Sequence, residues 1–171
     1  MKQWIQTFWL KRHLKKLAPD VNRVQTPIKE IKRIGVLSSD VPTEVQQELI
    51  TQLKSHFNGS ATLVCIYFVK QKSAAAMEPF EISASDFSLT GSLEHSALAT
   101  ALEQPFDLVV HYHESNNPFV SWLGFQMKAP IRVGFKAVSQ NISNLILDVP
   151  ITAVDLFVNE LNKYINILKE N

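Results

Sequence analysis

The chain has few of the residues on which many known active sites depend. Its five glycines are scattered, and neither a dinucleotide-binding loop nor a Walker loop is present. The serine nucleophile motif GxSxG is also missing. The one cysteine, Cys65, lies within the apolar run 61–69, so it cannot form an internal disulfide, and we expect it to pack as a small hydrophobe. These absences argue against tight NAD or ATP binding through a glycine-rich loop, and we expect no cofactor.

Long hydrophobic runs are missing as well. No window approaches the roughly 18 to 20 apolar residues that a membrane-spanning helix needs. At the N-terminus the apolar residues precede the basic ones and no small-residue cleavage site follows, which is the wrong order for a secretory signal. We therefore expect a cytoplasmic protein without a transmembrane segment.

Acidic residues are scarce at the start of the chain. The first 33 residues hold nine basic and two acidic side chains, a formal charge of +7, while the remaining 138 carry −6. The net charge of +1 thus hides a dipolar molecule.

At 171 residues and 46% hydrophobic content, the chain is long enough for one hydrophobic core. We predict a basic helix over 1–17, a proline-containing linker over 18–27, and one domain over 28–171.

The N-terminal helix is predicted to have two different faces. One side, which we call the aromatic-basic face, carries aromatic rings and then cations: Trp4, Phe8, Trp9, Lys11, Arg12, Lys15 and Lys16. Leucines fall on nearly the opposite side: Leu10, Leu14 and Leu17. The aromatic-basic face suits an anionic membrane surface, a protein partner or RNA. Alternatively, the rings cover the domain itself or a second copy of it.

The rest of the chain alternates between strand-like and helix-like patterns, which is typical of an α/β fold with a mostly parallel sheet between two helical layers. Apolar runs predict strands at 31–37, 61–69, 105–114, 131–135 and 144–149. We expect the strand at 61–69 to be buried on both faces. Helical spacing is found near 45–57, 93–102, 118–127 and 151–169. A capping box is predicted at Thr43 and Gln46, and a short strand at 87–89.

Ligands of open parallel sheets bind beyond the carboxyl ends of the strands. The first strand is followed there by Ser38, Ser39 and Asp40. These residues can offer hydroxyls and backbone N–H groups to a phosphate, or a carboxylate as a base. Ordinary turn and capping chemistry requires the same residue types. Both interpretations stay open at this point.

The strand at 105–114 ends in a second polar group. Alternation places His111 and His113 on one face, and Glu114 follows them. Two imidazoles and a carboxylate can begin a metal site or contact a polar ligand, but no further ligands are visible in the sequence. Imidazoles at a strand end also often hydrogen-bond to loops. We predict no metal site and keep these residues as candidates for ligand binding.

The segment 105–137 resembles part of the N-terminal half of heptosyltransferase-type glycosyltransferases. Residues 106–110 (FDLVV) match that family's "yDlvid" strand, and 131–135 (IRVGF) match its "a..riGf" strand. Residues 31–40 (IKRIGVLSSD) also resemble that family's first strand, which makes Asp40 a candidate for the acidic residue of its acceptor-side loop. The resemblance implies a Rossmann-like fold. His111 replaces the usual acid, Ser39 replaces the expected glycine, and the nucleotide-sugar-binding half is missing. As a whole, the chain is more similar to a small bacterial family of unknown function.

We therefore predict a non-catalytic Rossmann-like protein that docks through residues 1–17, in the cytoplasm or peripherally at the inner membrane. The alternative is a reduced glycosyltransferase-like protein that binds a sugar or phosphate. That alternative requires a pocket in which Asp40, His111 and His113 converge. A homodimer, formed through a sheet edge or the leucine side of the helix, is a third hypothesis.

Overall fold

The computed structural model describes residues 2–16, 30–57, 59–72, 80–136 and 142–170. The predicted linker at 18–27 lies outside these residues. The helices are α1 (Lys2–Lys16), α2 (Thr43–His56), α3 (Ser96–Glu103), α4 (Pro118–Gln126) and α5 (Val154–Glu170). The strands are β1 (Arg33–Ser39), β2 (Thr62–Phe68), β3 (Phe80–Ile82), β4 (Leu108–Tyr112), β5 (Ile131–Phe135) and β6 (Leu145–Leu147). None of the described helices is long and apolar enough to cross a bilayer.

The six strands form one sheet in the order β3-β2-β1-β4-β5-β6, and every neighbouring pair is parallel. Helices pack on both faces, so the predicted Rossmann-like three-layer architecture is confirmed. The strand order reverses direction between β1 and β4, which lie side by side. This reversal is the topological switch point at which open α/β sheets bind ligands.

One face of the sheet is covered by α2 and α5. Its apolar cluster contains Ile34 and Val36 of β1, Leu49 and Leu53 of α2, and a large contribution from α5. At its centre three aromatic rings pack with centroids about 5 Å apart: Tyr112, Phe135 and Phe157. This face is the sheet's main apolar core.

The opposite face is covered by α1, α3 and α4. Its cluster includes Leu37 and Val109 from the sheet, Phe119 and Leu123 from α4, and Leu10 from α1. Gly35 allows this layer to lie close to β1, because a Cβ there would meet the Met127 methyl at 2.5 Å. The N-terminal helix is thus packed into the second core.

The turn from β1 into α2 differs from the predicted capping box. Pro42 is the N-cap, α2 begins at Thr43, and no side chain caps the helix. The Gln46 amide instead donates to the Val41 carbonyl at 2.7 Å. The capping-box prediction is wrong because proline, with φ fixed near −60°, takes the N-cap position and moves Thr43 into the first turn.

Two further sequence-based expectations need correction. Strand β2 is not buried on both faces, since only Ile66 and Phe68 among its residues are buried. Its outer neighbour β3 pairs only with 66–68, so the first part of β2 lies near the edge of the sheet. The predicted strand at 87–89 is reduced to one antiparallel bridge between Phe87 and Leu93. The third strand lies instead at 80–82, where the sequence shows no long apolar run.

Candidate functional site

The inner side of α1 is fixed to the domain through hydrogen bonds from Gln6 and through the buried Leu10. The Gln6 amide is 1% exposed and donates to the Phe87 carbonyl at 2.6 Å. Leu10 is fully buried, and a Cβ on Gly91 would lie 3.1 Å from its side chain. Gly91 has a φ of +83°, which glycine adopts readily and which brings the 88–93 loop against the helix. The orientation of α1 is therefore set by tertiary contacts.

The outer side of α1 leaves three large aromatic rings in solvent. Trp4 is 73% exposed, Phe8 is 53% exposed and Trp9 is 37% exposed. Trp4 and Phe8 stack with centroids 6.3 Å apart, and Trp9 meets Phe8 edge-on at 6.4 Å. The rings thus form a continuous apolar strip of the kind that marks interaction surfaces.

The cations of α1 extend this strip towards the end of the helix. Lys11, Arg12, Lys15 and Lys16 are exposed, and α1 contains no acidic residue. The Arg12 guanidinium lies 6.0 Å from the Trp9 ring centroid, which joins the apolar and basic parts. These cations form no ion pair with a described residue. The predicted aromatic-basic face is therefore one exposed surface.

The predicted leucine side is only partly seen. Leu10 is buried and Leu14 is half-buried, while Leu17 lies outside the described residues. Ile5, which falls on the aromatic side by helical geometry, is also half-buried. The two sides of α1 therefore do not divide into apolar and polar. The side that contacts the domain combines a glutamine with aliphatic residues, and the side in solvent carries the aromatic residues.

The loops after β1 and β4 meet at the switch point, so the fold brings the predicted polar residues to one edge. Ser38 lies opposite Tyr112 in register, with Ser39 and Asp40 following on one strand and His113 and Glu114 on the other. Ser39 donates from its hydroxyl to the Asp40 carboxylate at 3.2 Å. Asp40 is exposed and has a φ of +56°, a strained conformation for a residue with a side chain.

The two histidines lie inside the protein. His111 and His113 are 0% exposed, with ring centroids 6.1 Å apart, and helix α4 lies over them. The approach is close at Gly124, where a Cβ would be 3.2 Å from His111 Cε1. None of the four ring nitrogens has a well-formed hydrogen bond among the described residues, although the backbone of Ile142 and of Ser115 approaches His111 and His113 respectively.

Burial keeps both rings neutral. Desolvation lowers the pKa of His111 well below its usual value, and neighbouring His113 and Arg132 lower it further. Desolvation also lowers the pKa of His113 to about 4, although the Ser115 backbone and the Asp40 carboxylate act in the opposite direction. Asp40 is thus near enough to His113 for an electrostatic effect.

Proximity does not produce a shared pocket here. A cavity of about 660 Å³ lies beside Asp40, and its walls include Thr43, Tyr67 and Lys70 but neither histidine. Among the described residues, no group of three or more His, Cys, Asp and Glu side chains is placed to hold a metal ion. The convergence of Asp40, His111 and His113 required by the glycosyltransferase-like alternative is therefore not found in this cavity.

Sequence reasoning missed several residues of interest. Arg132 has a buried nitrogen and lies near His111, and Ser143 has a buried hydroxyl next in the chain to Ile142. A second cavity, of about 700 Å³, lies between α1, α3 and α4 beside His13, Trp122 and Lys128. A signal existed for Arg132, because an arginine within the apolar strand IRVGF faces a covered side of the sheet. The cavity had no such signal, since its walls come from distant segments.

Comparisons with known proteins bear on identity but not on activity. The sequence model of a family described as a family of unknown function (DUF6913) matches residues 6–168. No curated protein and no solved structure matches the chain. The resemblance to heptosyltransferases therefore stays a prediction.

Proposed function

The chain belongs to this family of unknown function, as its sequence predicted, and we propose that it is a non-catalytic protein that binds anionic lipid surfaces through the aromatic-basic face of α1. One observation carries the proposal: the same helix is fixed on its inner side and is exposed, aromatic and basic on its outer side. Burying Gln6 and Leu10 leaves Trp4 and Phe8 more than half exposed. The proposal places the protein peripherally at the cytoplasmic face of a membrane.

The composition of this face suits the region between lipid headgroups and acyl chains. Tryptophan has an apolar body and a polar N–H, so it is stable at that boundary. Cations next to it attract anionic headgroups, and this attraction falls with added salt. An interfacial helix needs rings and cations on one side, which α1 provides without an acidic residue.

Lipid is favoured over RNA by the arrangement of the rings. Nucleic-acid bases stack on aromatic faces that are open to them. Trp4 and Phe8 instead lie nearly parallel, with centroids 6.3 Å apart and an interplanar angle of 23°, so each ring turns part of one face towards the other. Membrane insertion uses the outer edges of the rings and needs no open face between them.

Vesicle co-sedimentation tests the proposal directly. Full-length protein is mixed with vesicles of phosphatidylglycerol and phosphatidylcholine, or of phosphatidylcholine alone, at low and at high salt. We expect binding to the anionic vesicles that weakens at high salt. Substituting Trp4→Ala together with Phe8→Ala is expected to reduce binding at least tenfold, and Lys15→Gln with Lys16→Gln to reduce it and its salt dependence.

A matched control is available on the opposite side of the sheet. Leu156 and Tyr164 of α5 are 44% and 42% exposed, so Leu156→Ala with Tyr164→Ala removes two exposed apolar side chains from the other face of the domain. This double variant is expected to bind vesicles as the original protein does. Equal losses in both double variants, or salt-sensitive binding to ribosomal RNA without any binding to vesicles, would contradict the proposal.

A further inference from the structure

Buried polar atoms without partners are concentrated at one corner of the sheet. Within the described parts of the chain, seven buried side-chain nitrogen and oxygen atoms lack a well-formed hydrogen bond, although the backbone of Ile142 and of Ser115 approaches the rings of His111 and His113. Six of them belong to His111, His113, Arg132 and Ser143. Folded proteins pair nearly all such atoms, because an unpaired one costs roughly 1–3 kcal/mol. A hydrogen-bonding ligand at this corner could therefore pair with these atoms.

The fold brings these residues together through strand register. His111 pairs with Gly134 and Val109 pairs with Arg132, which puts His111 and Arg132 on adjacent strands in a diagonal relation. Alternation turns both side chains to the face covered by α4. Gly134 contributes no side chain between them. The Arg132 charge is near enough to lower the pKa of His111.

The backbone around Arg132 is held rigidly. The Arg132 N–H donates to the Asn144 side-chain oxygen at 2.8 Å, and the Asn144 N–H donates to the Arg132 carbonyl at 2.9 Å. Asn144 also donates from its amide to Pro130 at 2.8 Å. These hydrogen bonds fix the start of β6 and the residues just before it. Ser143, which precedes Asn144, is 5% exposed. Ile142 packs against α4, because a Cβ on Gly124 would lie 2.8 Å from the Ile142 methyl.

Arg132 differs from the other arginine of the sheet. The guanidinium of Arg33 donates to backbone carbonyls that include Ala101 at 2.7 Å, and it lies 4.4 Å from the centroid of the Phe106 ring. Arg132 has a fully buried Nε without a partner and forms no ion pair with any described residue. Its half-buried position also lowers its pKa through desolvation. The guanidinium of Arg33 thus donates to groups of the fold, whereas the guanidinium of Arg132 keeps an N–H donor without an acceptor.

We propose that Arg132, with His111 beside it, forms a binding site for a small oxyanion, a phosphate group or a carboxylate. The Nε and one terminal nitrogen of a guanidinium present two parallel N–H donors, which match two oxygens of such an anion. Protonated His111 has an N–H on both ring nitrogens, so one of them is available to the anion while the other faces the backbone of Ile142. The anion would satisfy the buried Nε and neutralise a cation that lacks a counter-charge.

Binding at this site is coupled to protonation of His111. A negative charge beside the imidazole favours its protonated form, so anion binding raises the pKa of His111 and is accompanied by proton uptake. By linkage the anion binds more tightly at lower pH. The titratable groups around His111 are Arg132 on β5, His113 just after β4 and Asp40 after β1, while α4 contains no titratable residue.

Thermal unfolding with sulfate tests the site, because sulfate mimics a phosphate group and keeps its charge between pH 6 and 8. Full-length protein is heated in sodium sulfate and in sodium chloride of equal ionic strength, with sodium acetate as the carboxylate probe. We expect sulfate or acetate to raise Tm by about 2–5 °C over chloride at ten or more times the dissociation constant. The rise is expected to be larger at pH 6 than at pH 8.

Variants separate this site from general salt effects. Arg132→Gln is expected to abolish the difference from chloride, and Arg132→Lys to remove most of it because lysine lacks the bidentate edge. Lys169→Gln, which removes an exposed cation of α5 outside both proposed sites, should keep the full rise. Equal sulfate and acetate effects in Arg132→Gln and in the original protein would overturn the proposal.

A measurement on the unaltered protein covers the case in which Arg132→Gln does not fold. In ¹⁵N-edited NMR, sulfate should shift the His111 ring signals in a saturable way and leave those of exposed His56 unchanged. No shift at His111, or an equal shift at both residues, rejects the site. Vesicle binding does not depend on Arg132, so this proposal and the docking proposal fail separately.

Discussion

The two faces of the sheet are built on different principles. The face under α2 and α5 is largely apolar. Its Tyr112 hydroxyl donates to the Ile151 carbonyl at 2.6 Å, whereas the buried Ser38 hydroxyl opposite it in register has no partner. The face under α1 and α4 contains the fully buried histidines and the unpaired Arg132 nitrogen. Among the described residues, the second face thus holds most of the unsatisfied polar atoms. Because such atoms cost stability, we expect function to be located on that face.

The largest effect is expected on the first face. Phe157→Ala removes a fully buried ring that packs on Tyr112 and Phe135, and we expect a loss of about 3–5 kcal/mol in the free energy of unfolding. Urea denaturation followed by circular dichroism measures it. A loss below about 1 kcal/mol would show that this face is not the principal core.

The histidines should make the second face sensitive to acid. The pKa of His113 is lowered to about 4 in the folded protein, against about 6.5 in the unfolded chain. The unfolded chain therefore binds more protons between these values, and stability is lost as pH falls from about 6.5 to about 4. The loss from His113 is on the order of 3 kcal/mol, and His111, also lowered, adds to it.

Urea midpoints at pH 7.5 and at pH 4.5 measure this acid sensitivity. His113→Gln should reduce the difference between the two midpoints, because glutamine does not titrate. Exposed His56 provides the matched control, and His56→Gln should leave the difference unchanged. A difference that persists unaltered in His113→Gln would show that His113 is not the source.

A smaller effect is expected where α1 joins the second face. Leu10→Ala removes a fully buried side chain from the contact with Gly91. We expect a loss of about 2 kcal/mol, at the low end for buried leucines, because α1 lies at the margin of the domain. The exposed Phe8 is the matched position, and Phe8→Ala should change stability by less than about 0.5 kcal/mol. Similar losses in the two variants would mean that α1 is not seated as described.

The sequence predicted the elements wherever a single local signal was strong. The strand IRVGF was placed at its observed bounds, and α4 was placed to within one residue because Pro118 begins it. Prediction was weakest around 80–93, where β3 is only three residues long and α3 begins later than expected. Short edge strands lack an apolar run of their own because they are ordered by the neighbour with which they pair.

The candidate site was predicted only in part. Strand alternation correctly put His111 and His113 on one face, and the carboxyl-end rule brought Asp40 near His113. Two features could not be predicted: α4 covers both imidazoles, and Arg132 lies beside His111. The first depends on the close approach of α4 to His111 at Gly124, and the second on the pairing of β4 with β5. No short stretch of the sequence contains a signal for either feature.

The sequence by itself determined the alternation of strands and helices, the two faces of α1 and the charge difference between the ends of the chain. These follow from side-chain periodicity and from residue counts, which are local properties. The tertiary structure alone decided that Leu10 enters the second core while Trp4 stays exposed, and that Arg132 keeps an unpaired donor. Both outcomes depend on contacts between residues far apart in the chain, and burial, which sets their energetic consequences, exists only once the chain has folded.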